Sequence, residues 1–342
     1  MSRGFLKPEV WLRVAAGGYR PDMRPVQAPR EQLPPLDLRR LRDLDLDEPP
    51  SEGHPAHIAS ASGIAKRGDF VYVVGDDLLA IGVFGLARGG PGAARRVFAT
   101  GADVGGEPDK PDLEGLTSLP PVDGEPNGGL LGIGSGSKPS RDRGFYWSFA
   151  PDGSLAGEPR TVDLRPVYDA MRDELGGDIN IEGAAVLGSR LWLFHRGNEG
   201  GAPNTVAEFE LGDLSRTLRQ DLVIDPDELA ATHAYQLGEV DGVPLCFSDA
   251  TTLTEELVCF SASAESEDGE IHGSVVGTIR TDGSVRRLRT IDPRWKVEGV
   301  HATIDSGVID FVFVCDQDDS ATPSPLLSAT MPIERELDED RA

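Results

Sequence analysis

Five short segments of the chain repeat one pattern: Ser or Glu, a small or short residue, an apolar stretch, a turn, and a second apolar stretch. They begin Ser62-Gly63-Ile64-Ala65, Glu114-Gly115-Leu116-Thr117, Glu182-Gly183-Ala184-Ala185, Ser248-Asp249-Ala250-Thr251 and Glu298-Gly299-Val300-His301. The steps between first residues are 52, 68, 66 and 50. An irregular period of that size, built from strand-length pieces, predicts an all-β fold with a single β-propeller. Five repeats predict five blades; six is the alternative if the N-terminal arm forms a further blade. A propeller carries the equivalent residue of every blade to one axis, so Ser62, Glu114, Glu182, Ser248 and Glu298 are expected to form a ring.

The units fall at 59–109, 110–178, 179–235, 236–292 and 293–332. The second shows four strand-like segments with an Asp152-Gly153 hairpin signal. The fifth lacks a fourth strand. The stretch from Leu36 to Asp47 alternates Leu with charge as an edge strand would. It is expected to complete the fifth blade and stitch the ring shut. Domain expectations are therefore an N-terminal arm over 1–35, the propeller over 36–332 and an acidic tail over 333–342. One helical pattern stands out, 164–175, where Val167, Met171 and Leu175 recur every four residues. Trp147, Trp192 and Trp295 are expected between blades.

The net charge is −25, from 58 acidic and 33 basic residues. That disfavours duplex nucleic acid, whose binding needs a basic surface, and anionic membranes. No apolar run is long enough to span a bilayer, and Met1 to Pro25 does not read as a signal peptide. Cys246, Cys259 and Cys315 lie in apolar runs without Cys-x-x-Cys spacing. They suggest buried thiols in a reducing compartment, hence a cytoplasmic location, and argue against thiolate zinc.

In a blade the first strand lines the channel and the second runs back beside it. The start of the first and the end of the second therefore share one mouth. This adds a second ring: Asp76 and Asp77; Ser135-Gly136-Ser137-Lys138; His195, Arg196 and Asn198; Ser261, Ser263 and Glu265; Asp316, Asp318 and Asp319. Converging carboxylates raise one another's pKa or bind a cation. All-oxygen ligands suit Ca2+, while Mg2+ fits a five-fold ring poorly. Another possibility is that each Glu-Gly serves only a blade edge. Gly134-Ser135-Gly136-Ser137-Lys138 lacks P-loop spacing and reads as a structural turn. Asp316-Gln317-Asp318-Asp319 lacks the Gly and Glu of an EF-hand and reads as a rim loop.

The order Ser, Glu, Glu, Ser, Glu, one per blade, resembles the five-bladed calcium-activated nucleotidases, the soluble apyrases. Val73-Val74-Gly75-Asp76-Asp77 and Cys246-Phe247-Ser248-Asp249 resemble segments of that family's first and fourth blades. The resemblance covers roughly 60–325 in pattern. It implies Ser62, Glu114, Glu182, Ser248 and Glu298 as calcium-site residues, directly or through water, with Asp76 or Asp77 near the reaction centre. The chain departs from it at Ser261-Ala262-Ser263, where the family carries basic residues for phosphate. Bacterial phytase-like and esterase-like propellers are similar over the same region, less specifically.

Three functional expectations arise from this pattern. One is a calcium-dependent hydrolase of a phosphate ester, anhydride or other ester. In it Asp76, Asp77 and His195 act in catalysis, and Lys138, Arg141, Arg196 and Asn198 receive a small anionic substrate. The other is a non-catalytic binding or scaffold propeller in which calcium holds the blades together. A lectin-like binder using the acidic rim is a third. Oligomeric state is not expressed in the sequence.

Overall fold

The computed structural model is a five-bladed β-propeller. The structure describes residues 24–30, 33–51, 53–87, 89–98, 112–197, 203–212, 214–219, 222–224, 228–266 and 268–333. Two strands precede the first blade: β1 (Val26–Gln27) and β2 (Arg39–Asp43). Blade one is β3 (Ala61–Arg67), β4 (Phe70–Gly75), β5 (Ala80–Gly85) and β6 (Ala93–Arg96). Blade two is β7 (Leu113–Leu119), β8 (Gly129–Gly134), β9 (Arg143–Phe149) and β10 (Leu155–Asp163). Blade three is β11 (Ile181–Leu187), β12 (Arg190–His195), β13 (Asn204–Glu210) and β14 (Glu228–Gln236). Blade four is β15 (Glu239–Val240), β16 (Val243–Thr252), β17 (Leu257–Glu265), β18 (Ile271–Arg280) and β19 (Val285–Thr290). Blade five is β20 (Val297–Asp305), β21 (Val308–Cys315) and β22 (Pro325–Pro332), completed by β2.

Strand alternation builds the ring. Successive side chains of a strand point to opposite faces, so each blade feeds two cores. On β4, Val71 and Val73 join the core shared with blade five, while Tyr72 and Val74 join the core shared with blade two. On β12, Leu191 and Leu193 face blade two, and Trp192 and Phe194 face blade four. Five such seams hold the ring together. Trp147, Trp192 and Trp295 pack at three of them. All three cysteines are free and buried.

The ring closes through the N-terminal segment. β2 pairs antiparallel with β22, from Arg39 opposite Ser328 to Asp43 opposite Pro325. The same segment also ties down more blades than the alternating Leu pattern indicates. β1 pairs in parallel with β14 of blade three. Arg30 donates to the Glu239 carbonyl and Leu36 N–H to Thr290 O, both in blade four. Beyond β2, Leu44 N–H donates to Ser324 O, and Asp47 N–H to Gly92 O of blade one. Residues 24–30 and 33–47 thus run as a belt across blades three, four, five and one. Residues 334–342 of the expected tail lie outside the described residues.

Helix α1 (Arg165–Leu175) follows β10. Pro166 fits its first turn and Gly176, in the left-handed conformation, ends it. Val167, Tyr168, Met171 and Leu175 pack into the core between blades two and three. Its solvent side clamps a loop at one channel mouth: Arg172 pairs with Asp142 at 2.5 Å and donates to Gly136 O at 2.7 Å. A second short helix, α2 (Leu214–Arg219), was not evident from periodicity. No helix among the described residues is long and apolar enough to cross a membrane.

Candidate functional site

Each of the five repeat residues sits at a β-bulge. The register of the first strand against the second breaks between Ala61 and Ile64, Leu113 and Gly115, Ile181 and Gly183, Phe247 and Asp249, and Val297 and Gly299. The skipped positions include Ser62, Glu114, Glu182, Ser248 and Glu298. A bulge re-aims its side chain and bends the strand, and here all five occur at one level of the ring.

The residue after each explains the glycines. A Cβ at Gly63 would lie 2.6 Å from Glu114 O, one at Gly183 2.5 Å from Ala250 N, and one at Gly299 2.6 Å from Ser62 O. The first strands of neighbouring blades touch backbone to backbone, which only glycine permits. Blade four has Asp249 instead. Its carboxyl, fully buried, accepts Ala250 N–H at 2.7 Å and Val300 N–H at 2.8 Å. The Ile64 N–H also bonds to it, so one side chain joins blades four, five and one. Burial raises its pKa well above the usual range against these hydrogen bonds.

Above this pinch lies an acidic mouth. Glu182 and Glu298 are buried and Glu114 is partly so. Glu182 accepts Asn180 Nδ2–H at 2.6 Å and lies 3.7 Å from Arg196. Burial lifts its pKa to about 8; Arg196 pulls it down, and Glu298 and Asp112 push it up. Glu298 reaches about 7 through burial, opposed by Lys296 at 3.5 Å and by Arg196. Glu114 stands well above the carboxylate range through burial, then through Glu182, Asp112, Asp76 and Glu298.

Two cations work inside this ring. Arg196 reaches Glu265 at 2.7 Å. Lys296 meets Asp318 at 3.0 Å, Asp316 at 3.2 Å and Glu265 at 3.9 Å. Burial disfavours its charge, but Glu298 and Asp316 more than compensate, and its pKa is raised. The hydroxyls are partly engaged. Ser248 Oγ donates towards Ser261 Oγ (3.0 Å) and Val297 O (3.2 Å), and Ser62 Oγ lies 3.5 Å from Ser60 O.

Asp77 is exposed and accepts the Ser60 hydroxyl. Asp76 lies near enough to Glu114 to raise its pKa. His195 is buried, with Nδ1 3.0 Å from Asn180 N and 3.2 Å from Asn180 O. Burial lowers its pKa to about 4, against the Asn180 hydrogen bond, so the ring is neutral. Arg141 is bound to Asp112 at 2.6 Å and to Ser137 Oγ at 2.6 Å. Lys138 is exposed. Asn198 lies outside the described residues. The Ser135–Lys138 run is a turn into a short 3-10 helix, Pro139–Arg141, with Gly136 at φ +68°. The Asp316–Asp319 loop lies on the rim and serves Lys296.

Sequence reasoning missed the residues two positions upstream of the ring. Ser60, Asp112, Asn180 and Lys296 each serve the ring residue of their own blade or its close neighbours. Each lies one residue ahead of its strand, with the bulge between it and the rest of the strand, so strand alternation does not announce it.

Residues 57–331 match a family of unknown function, DUF6929. The chain belongs to that family. No curated protein matches its sequence. In shape it is similar to luciferin-regenerating enzyme, with 10% identity over 81% of this chain and 93% of that one, TM-score 0.39. It is also similar to a candidate exo-beta-1,3-galactanase from Bifidobacterium bifidum s17, with 12% identity over 85% and 92%, TM-score 0.43. A chain of the nidogen/laminin complex shares 12% identity over 75% of each, TM-score 0.36. Likeness this distant carries no inference about activity. Neither the family nor these structures gives specific support to a nucleotidase or a phytase.

Proposed function

We propose that this DUF6929 protein is a cation-binding propeller hydrolase. Its acidic mouth would hold Ca2+ through Glu114, Glu182 and Glu298, with Ser62 and Ser248 beside them, and cleave a phosphate ester, anhydride or other ester there. The supporting observation is the surplus of acid. Asp76, Asp112, Glu114, Glu182, Glu265, Glu298, Asp316 and Asp318 interact at this mouth, against Arg141, Arg196 and Lys296. Carboxyls with pKa values lifted by burial and by one another are stabilised by an added positive charge.

The donor chemistry fits a hard cation, since carboxylate and hydroxyl oxygens suit Ca2+. No three His, Cys, Asp or Glu side chains among the described residues close into a ready-made cage. An ion there would be held partly through water. Bound there, Ca2+ would polarise a phosphoryl or ester oxygen. Asp76 and Asp77 are the candidates for orienting the attacking water. Arg141, Arg196 and Lys138 are candidates for the anionic part of the substrate. His195, neutral at ordinary pH, serves as a hydrogen-bonding group rather than as a cation.

One observation favours a second reading, a scaffold with a structural ion. Glu182 and Glu298 already have Arg196 and Lys296 as partners. Thermal unfolding of EDTA-stripped protein with Ca2+ or Mg2+, beside assays on p-nitrophenyl phosphate, p-nitrophenyl acetate and a nucleoside triphosphate, separates the two. A Ca2+-specific rise in Tm with Ca2+-dependent turnover supports the hydrolase. A rise without turnover supports the scaffold. Neither response overturns both.

A further inference from the structure

The opposite mouth of the ring is a separate basin. The backbone contacts at Gly63, Gly183 and Gly299 draw neighbouring first strands together between the two mouths, and the Asp249 carboxyl reaches from blade four to blades five and one at that level. Beyond them, where first strands end and second strands begin, lies a cavity of about 810 Å3. Small-molecule sites have volumes of this order. All five blades contribute: Arg67, Thr117, Trp192 and Glu208, Thr251, and His301.

Its chemistry differs from that of the acidic mouth. Arg67 and Arg190 balance Glu208 and Glu255. Both arginines are engaged within the protein, Arg190 with Glu210 at 2.6 Å and Glu208 at 3.2 Å, Arg67 with Asn127 O at 3.1 Å. His301 is uncharged, its pKa lowered to about 4 by burial and by Lys66. Thr117, Ser118 and Thr281 also line the space, and their hydroxyls make no hydrogen bond among the described residues.

The decisive pair is on blade three. Trp192 and Glu208 are cross-strand neighbours on β12 and β13, each about 1% exposed, and both line the cavity. The Trp192 indole N–H, a pure donor, has no hydrogen-bond partner. Glu208 Oε1 lies 3.3 Å from His233 Nε2 but makes no aligned hydrogen bond. On neighbouring strands, a buried donor and a buried carboxylate oxygen thus both lack an aligned hydrogen bond, an arrangement proteins rarely leave. A hydroxyl donates and accepts at once and is the group that completes both. We propose that this cavity binds a neutral polyhydroxylated molecule, a sugar or cyclitol, with hydroxyls seated against Trp192, Glu208 and Thr117.

The test is saturation-transfer NMR and calorimetry on the full chain in EDTA, which keeps the result independent of any cation at the other mouth. The probes are D-glucose, D-galactose, maltose and myo-inositol, with D-gluconate and D-glucosamine as charged contrasts. At least one neutral probe is expected to bind saturably, and more tightly than the charged pair. Glu208→Gln, which removes the carboxylate charge from the accepting group, and Thr117→Val, which removes a hydroxyl, should each weaken it about tenfold, while Glu182→Gln leaves it unchanged. Thr117→Val is near-isosteric and keeps the test decisive if Glu208→Gln does not fold. The proposal is overturned if no neutral probe binds up to about 10 mM. Binding that is unchanged in the folded cavity variants, or that is lost in Glu182→Gln, overturns it equally.

Discussion

Asp249 accepts the Val300 N–H at 2.8 Å across the seam between blades four and five. Every other first strand has a glycine at this position, and its absence of a side chain lets two backbones meet. Blade four instead spans the gap with a carboxyl that also serves Ala250 and Ile64. The centre of the ring is thus fastened by glycine contact on most seams and by one buried acid on the last.

Asp249→Ala is expected to lower stability by about 3 kcal/mol or more, because it strands backbone donors whose burial unpaired costs about 1–3 kcal/mol each. Asp249→Asn keeps one acceptor oxygen and should cost less. Urea unfolding of the two variants against the parent measures the difference. Equal losses would mean that the carboxyl is not the acceptor that matters.

Gly183→Ala forces a methyl to within 2.5 Å of Ala250 N. Backbone cannot yield as a side-chain tip can, so a cost of about 1–3 kcal/mol is expected, the range for overpacking. Gly177→Ala, with nothing within 4 Å, is the matched control and should be close to neutral. Similar Tm values for both variants would contradict the close approach of β11 to β16.

The cation-free protein should lose stability as pH rises through neutrality. Glu182 and Glu298 titrate near 4.5 when unfolded and at about 8 and about 7 when folded. The folded state therefore binds more protons between those values, and stability falls as pH rises across that window. His195 and His301, both lowered to about 4, act in the opposite sense below 6.5. The clean window is thus pH 6.5 to 8, where a loss on the order of 1–2 kcal/mol is expected. Thermal unfolding in EDTA should show it, and Glu182→Gln should flatten it. A rise in Tm over this window would contradict the buried acid ring.

A cation at this mouth displaces the same protons, so Ca2+ should protect more at pH 8 than at pH 6. Titrating EDTA-stripped protein at both values measures the ratio. Glu114→Gln and Glu298→Gln should each reduce the protection. Protection independent of pH would place the ion elsewhere.

Leu44, fully buried, is held between Ser324 of blade five and Ile58 at the entrance to blade one. Leu44→Ala should cost about 2–4 kcal/mol, as buried leucine truncations do. The N-terminal belt then becomes the weak point, and limited proteolysis should cut ahead of Ala59 earlier than in the parent. An unchanged cleavage order would show that closure does not depend on this contact.

The blade count, the closing strand and the level at which the five repeat residues meet are legible in the repeats alone. Those features are local and periodic. Each strand pair carries its own alternation and turn, and each bulge is marked by a polar residue followed by glycine or Asp249. Helix 165–175 was legible for the same reason, as a run with a single clear period. What surrounds the ring emerges only when the blades pack together. That Lys296 and Arg196 offset Glu298 and Glu182, that Arg141 is taken by Asp112, and that His195 is a buried neutral group depend on side chains from separate strands meeting in a dry space. Charge compensation and burial are properties of that space rather than of any segment. The N-terminal belt and the cavity under Trp192 and Glu208 arise from residues far apart in the chain, with no repeat to announce them.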